Sequence, residues 1–360
     1  MQIFESIFDV LYLGIVIALG IRLLFEKNKE AKLFGVMAAL LGIGDSFHLI
    51  PRVISHLSPG GFKAHAAALS WGQFITSITM TVFYVLYYIY YKNQSGDKSK
   101  VKDGVIYSLA IARIVLVLMP QNNWGHVPGN YIFGIYRNIP FLLMGILLIY
   151  WSFKNRNIKA LKNMDILIAL SFIFYIPVVL FSQKYPVVGA LMMPKTVAYL
   201  LIVYSGYKYF INKFESKNIL GLSFTYLLMG LILGAFYREF TKFYGYTNKT
   251  YLAKVHPHTI ILGFVVLFLI YLCVRKYTKD DLNKIQSSIY VYITGLVLTI
   301  SNMFLIGIYE VVSEGKEIIK IDALNGISGI GHIILLIGTI MFMSKLYRIE
   351  ETNNIKIENK

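Results

Sequence analysis

Runs of about twenty predominantly apolar residues recur along the chain, each followed by a short polar stretch, and a run of that length crosses a bilayer as a helix. Eleven such runs fall at roughly 3–25, 33–56, 66–91, 104–120, 131–153, 163–182, 186–207, 219–237, 251–273, 287–309 and 322–344. The pattern predicts an all-α, polytopic membrane helix bundle. The polar segment YKYFINKFESKN, at about 207–218, divides the runs into seven and four. Three parts are expected: a seven-helix module over 1–212 with an outward-facing polar cavity, a four-helix module over 213–347 with a histidine site, and a cytoplasmic tail over 348–360. The first run lacks a basic leader and a small-residue cleavage site, and reads as a spanning helix and not as a signal peptide.

Composition sharpens this. Apolar residues make up 56% of the chain and charged residues 15%, with a mean hydropathy of +0.60. A soluble domain is nearer 45–50% apolar and about 25% charged, so a soluble enzyme, a disordered chain and a disulfide scaffold are excluded. The net charge of +16 would suggest nucleic acid in a soluble protein. Here the positions of Lys and Arg explain it. With the N-terminus outside, about 23 fall in inner loops and the tail and about nine in outer loops, which predicts N-out, C-in and an odd number of spans. No nucleic-acid partner is expected. The bilayer of a bacterial cytoplasmic membrane is. Cys273 stands alone, which excludes an internal disulfide, and it reads as an inert core residue.

Three basic residues, Arg113, Arg137 and Lys195, lie inside apolar runs. The second run adds Asp45, His48 and Arg52, whose spacings of three and four put them on one helical face, with Pro51 expected to bend the helix. A charge in mid-membrane costs at least about 2.5–3.5 kcal/mol and is paired or functional. All these groups, with Asn138, Gln73 and Ser77, fall in the outer halves of their helices or near mid-membrane. The linker MPQNNWGHVPGN brings Gln121, Asn122, Asn123 and His126 to the same end. One cavity lined by Asp45, His48, Arg52, Arg113, Arg137, Asn138 and Lys195 is predicted. Its cations outnumber Asp45. That surplus predicts an anionic small molecule or lipid held by guanidinium forks; a wet, internally paired network and a proton path remain as alternatives.

In the second module His256 and His258 flank Pro257, and His332 lies in the last run beside Gly329 and Gly331. One histidine from each of two helices at similar depth is how a bundle holds a haem between imidazoles. The same three side chains are candidate ligands for copper, zinc or iron, and a polar cap at the membrane surface is the plain alternative. Arg238 is a candidate partner for a haem propionate or for Glu239. Asn302 and Asn325 are candidates to orient a ligand histidine, Asn302 equally to bond a neighbouring helix. The pair Gly230 and Gly234 suits close helix packing. The many Tyr and Phe near run ends read as an interfacial aromatic belt.

The stretch LILGAFYREFTKFYGYTNKTYLAKVHPHTIILGFVVLFLI resembles an uncharacterised bacterial family of four-helix membrane proteins, over about 219–345. Its His-x-His-x-x-x-Leu-Gly pattern, His256, His258, Leu262 and Gly263, is also similar to the haem-binding helix of haem–copper oxidase catalytic subunits. That resemblance implies haem b, with His256 or His258 as one axial ligand and His332 as the second. Four helices cannot supply the full oxidase set of histidines. The first module, with GIGDSFHLIPR, resembles uncharacterised polytopic proteins of low-GC Gram-positive bacteria.

Three functions follow as expectations. The first is a haem-binding redox or gas-sensing protein with a membrane redox or signalling partner, whose first module binds an anionic or lipid-like molecule. The second is a transporter or receptor for a small anion, without haem. The third is a metal-dependent membrane hydrolase using His48 and Asp45.

Overall fold

The structure, a computed structural model, describes residues 2–126, 128–313, 316 and 321–358. The loop cation Lys320 and the tail residue Lys360 lie outside them. No strand occurs among the described residues. The helices in chain order are α1 (Gln2–Leu24), α2 (Lys29–Leu57), the single turn α3 (Gly61–Ala64), α4 (Ala66–Ser95), α5 (Lys100–Leu118), α6 (Tyr131–Lys154), α7 (Met164–Phe181), α8 (Met192–Phe210), α9 (Ser216–Phe243), α10 (Leu252–His258), α11 (Val266–Val274), α12 (Lys279–Val312) and α13 (Ile321–Glu358). A π-helical segment, Thr259–Val265, joins α10 to α11 in one continuous span.

Among the described residues ten helices are long and apolar enough to cross a membrane, which makes this a multi-pass membrane protein. The remaining expected run, the fourth, is present as the helix α5. Its 19 residues include Lys100, Lys102, Asp103 and Arg113, too polar to qualify on composition. Local sequence accounts for the helix boundaries. Ser99, Asn130 and Thr278 cap α5, α6 and α12, each side chain accepting from a backbone N–H in the first turn. Gly96 ends α4 at φ 68°, a left-handed cap that glycine adopts without strain. The helix α2 runs on through Pro51.

The chain divides into two compact units, Met1–His56 with Gly60–Phe210, and Leu57–Pro59 with Ile211–Lys360. Within the first unit the helices pack in a closed ring. Gly20 of α1 lies against Ala39 of α2, and Gly44 of α2 against Thr79 of α4. Then α4 packs on α5, α5 on α6, α6 on α7, α7 on α8, and α8 returns to α1. The tyrosines of α4 face inward and take no part in an aromatic belt. Tyr84, Tyr87, Tyr88, Tyr90 and Tyr91 are buried, and all five hydroxyls are paired: with Ser171 Oγ (3.0 Å), Ser152 Oγ (2.7 Å), Asp103 Oδ1 (2.7 Å), the Ala160 carbonyl (3.2 Å) and Asn155 Nδ2 (2.8 Å), in that order. Burying a phenol without such a partner is costly, so these bonds fix which way α4 faces.

In the second unit α9 packs along α10, the π segment and α11; α10 packs on α12, and α12 on α13. Small residues set the closeness of the last pair: Gly295 and Gly338 lie against the backbones of Leu335 and Tyr292, and a Cβ at Gly331 would meet Thr299 Oγ1 at 2.7 Å. Asn302 Nδ2 donates to the Leu324 carbonyl at 2.6 Å, so Asn302 ties α12 to α13. Gly230 on α9 leaves room for Ile260. Cys273 is exposed, which corrects its reading as a core residue: it lies on the outward side of α11.

Candidate functional site

A cavity of about 640 Å³ lies inside the ring of the first unit. Of the residues expected there, His48, Arg52, Arg113, Arg137, Asn138 and Lys195 line it, as do Gln73, Ser77, Asn122 and His126. Asp45 is buried behind the wall without lining it. Gln121 and Asn123 are exposed and also take no part in it. Tyr175, Tyr199, Trp124 and Phe141 complete the wall with aromatic faces.

The linker between α5 and α6 builds one side. Asn122 Nδ2 donates to the carbonyls of Leu116 (2.7 Å), Val117 (3.2 Å) and Met119 (2.8 Å), which closes the C-terminus of α5. Trp124 Nε1 donates to the Val117 carbonyl at 2.8 Å. Asn122 Oδ1 is thereby turned toward Arg137, whose Nη1 donates to it at 2.8 Å, and the guanidinium of Arg137 lies 4.4 Å from the centre of the Trp124 ring. Gly125, at φ 87°, lets the linker turn so that its N–H reaches Ser70 Oγ at 3.0 Å.

Two acidic residues of α1 were not found by sequence reasoning. Glu5 pairs with Arg52, and His56 Nε2 lies 3.3 Å from Glu5 Oε2. Asp9 is 3% exposed, and its Oδ2 has no hydrogen-bond partner among the described residues. Tyr12 of the same helix donates to Asp45 Oδ2 at 2.7 Å. The charge surplus inferred from Asp45 alone is therefore corrected: Arg52 is answered by Glu5. A Glu in the first turn of a first span reads as an ordinary interfacial residue, and only the i, i+4 spacing of Glu5 and Asp9 hinted at a polar stripe.

Three cations remain. Arg113, Arg137 and Lys195 have no ion pair with a carboxylate among the described residues. Arg113 is 2% exposed and its Nε and Nη1 find no hydrogen-bond acceptor there. Its guanidinium carbon sits 3.4 Å from the centre of the Phe141 ring, and Lys195 Nζ sits 4.8 and 5.2 Å from the rings of Tyr175 and Tyr199. Cation–π contacts return about 0.5–2 kcal/mol each. That is less than the cost of holding a charge at such depth. Asn138 is internally satisfied, accepting from Tyr175 at 2.9 Å and donating to the Gly134 carbonyl at 2.7 Å. His48 Nδ1 is buried without a partner among the described residues.

In the second unit His256, His258 and His332 each have a local contact of their own. His256 packs toward Gly234 of α9, where a Cβ would lie 3.5 Å from its ring. His258 Nδ1 and His332 Nδ1 each bond a carbonyl of their own helix, Lys254 at 2.8 Å and Ser328 at 2.7 Å. His332 is exposed on α13, which packs on α12. Among the described residues no three His, Cys, Asp or Glu side chains are grouped to hold a metal ion, so the set His256, His258 and His332 is not a metal cluster in this arrangement. Arg238 is exposed and faces Glu239 at 3.6 Å.

A family model described as a protein of unknown function (DUF2871) matches residues 216–349, from the start of α9 into α13. The match fits the resemblance read from the C-terminal third, and it attaches no activity to the histidines. No curated protein and no solved structure matches the chain.

Proposed function

We propose that this protein binds a small organic or inorganic anion in the cavity of its first unit, as a transporter or receptor of a bacterial cytoplasmic membrane. The carrying observation is the trio Arg113, Arg137 and Lys195, which line one cavity with no carboxylate within ion-pair distance among the described residues, Arg113 with two buried nitrogens unanswered there. Guanidinium forks suit carboxylate and phosphate, and the aromatic wall suits an organic body attached to either. We read eleven spans, N-terminus outside and C-terminus inside, so that the cavity lies at the outer end of the ring. The helix α5 is the eleventh: Ile111, Val115 and Leu118 make an exposed apolar stripe at helical spacing, while Arg113 is turned inward.

The test is thermal unfolding of the detergent-purified protein with citrate, benzoate or inorganic phosphate, against chloride at equal ionic strength. A ligand at a hundred times its Kd stabilises by about 2.7 kcal/mol. We expect saturable stabilisation by at least one anion, lost in Arg113→Ala. If none stabilises and mass spectrometry finds an acidic phospholipid retained in the purified protein, the occupant is a lipid headgroup. If neither occurs, the cavity is a solvated structural network and the reading fails.

A further inference from the structure

The cavity of the first unit holds more charge than a monoanion balances. Among the described residues no Asp or Glu lines it, while Arg52, Arg113, Arg137 and Lys195 do. Glu5 answers Arg52. The other three have no carboxylate within ion-pair distance among the described residues. Two buried carboxyls lie outside the lining. Asp45 accepts from Tyr12 at 2.7 Å and offsets one of the three cations if it is ionised. Asp9 Oδ2 has no donor among the described residues, and a bare buried carboxylate is costly, so Asp9 counts as neutral. His48 and His126 count as neutral at about pH 7.5, above the ordinary imidazole range. Two of the three cations stay unmatched with Asp45 ionised, and all three with it protonated.

These cations belong to one connected wall. The Arg113 guanidinium carbon lies 3.4 Å from the centre of the Phe141 ring. Arg137 precedes Phe141 by four residues on α6, which puts the two on one helical face. The rings of Phe141 and Tyr175 are 6.0 Å apart, and Lys195 Nζ lies 4.8 Å from the Tyr175 ring. A guanidinium stacked by its face keeps its in-plane N–H groups for an oxyanion. The printed bond of Arg137, from Nη1 to Asn122 Oδ1, leaves its Nε and Nη2 edge for a bidentate contact. The amide oxygens of Asn122 and Asn138 are already engaged, by Arg137 and by Tyr175, so the wall offers donors in excess of acceptors.

The geometry points to an organic dianion as the occupant, a molecule carrying two negative charges as a phosphate monoester or a dicarboxylate does, with Arg113, Arg137 and Lys195 as its counter-ions. This rests on the anion reading and names the ligand class of that same site. The organic body follows from size and lining. A cavity of about 640 Å³ is in the range that encloses an organic ligand, and Met80, Val178, Val179 and Met192 give it an apolar side. A bare inorganic ion would leave that side facing water.

The experiment is isothermal calorimetry on the full-length protein in detergent at about pH 7.5, where a phosphate monoester is mostly dianionic. Each dianion is measured against a monoanion of similar body: phenyl phosphate against methyl phenyl phosphate, terephthalate against benzoate, and short-chain phosphatidic acid against phosphatidylglycerol of the same chains. Inorganic phosphate is the dianion without a body. At least one dianion is expected to bind about tenfold or more tightly than its partner and than inorganic phosphate. A margin shown by phenyl phosphate or terephthalate means a soluble ligand; one confined to phosphatidic acid means a lipid headgroup of the same charge. In Lys195→Met the margin is expected to shrink about fivefold or more, with the dianion weakened and the monoanion little changed. Arg137→Gln serves if that variant fails to fold. Dianions that bind no better than their partners overturn the inference and leave the anion site standing. Inorganic phosphate binding as tightly as the best organic dianion overturns the organic body. A margin untouched in both variants, or in the one that folds, removes the trio as counter-ions and overturns it too. No binding of any probe overturns the anion reading and this inference with it.

Discussion

Glu5 decides how much of the cluster's charge is free. It answers Arg52 and lies against His56, with both ion-pair partners largely shielded from solvent. Breaking a buried pair from one side strands the other charge, at about 3–5 kcal/mol. Glu5→Ala should therefore lower the thermal unfolding midpoint in detergent markedly. The double variant Glu5→Ala, Arg52→Met should recover most of the loss; an unrecovered loss would mean that Glu5 acts through something other than Arg52. At the opposite end of α4, Asp97 accepts from Lys102 and from the Ser99 N–H, and the hydrogen bond from Lys102 holds its carboxyl below the usual carboxylate range. A depressed folded value means a contribution present above the ordinary carboxylate range and lost as pH falls through the depressed one. A carbon-13 titration should give an Asp97 midpoint below that of a model peptide, moved back upward in Lys102→Met. At this scale the sequence was legible where charge stood out against an apolar run, as for Asp45, Arg113, Arg137 and Lys195. It was silent where the charge sat at a run's edge, as for Glu5, or one turn inside it, as for Asp9. Nothing local distinguishes such a residue from an interfacial one.

Along a helix, apolar length fixes existence but not azimuth. The eleven runs all became helices, but agreement in depth does not by itself say which side chains of two helices face one another. Depth follows from 1.5 Å per residue; facing depends on 100° per residue and on every distortion between. The Pro257 ring cannot donate a backbone hydrogen bond, and the π-helical turn that follows adds a further rotation unreadable from spacing. The glycines of α12 and α13 are easier to read and to test. Gly331→Leu would drive a side chain into Thr299, and overpacking of this kind costs about 1–3 kcal/mol. A lowered unfolding midpoint is expected for Gly331→Leu and little change for Gly329→Leu, where a Cβ meets nothing within 4 Å. Equal losses at the two positions would mean that intrinsic helix effects, not the α12–α13 fit, control the result.

For the molecule as a whole, the chain passes from one compact unit to the other near residue 210. The ring of the first unit was not legible, because ring closure depends on α8 returning to α1 across the entire unit, a pairing no local pattern encodes. Ring closure also gives α5 its peculiar composition. A helix whose inner face looks into a polar cavity can hold Arg113 there, and needs apolarity only on its outer side. The assembled bundle tolerates what an isolated segment does not, and this has a consequence for biogenesis. On its own, α5 should partition poorly from the translocon into lipid, with Arg113 alone adding about 2.5–3.5 kcal/mol. It should wait at the channel, or at the membrane surface, until α6 emerges. A nascent chain truncated after residue 125 should leave α5 uninserted in a glycosylation-tag assay, and one extended past residue 155 should insert it. Insertion of this segment would then depend on the order of synthesis: a later helix rescues an earlier one.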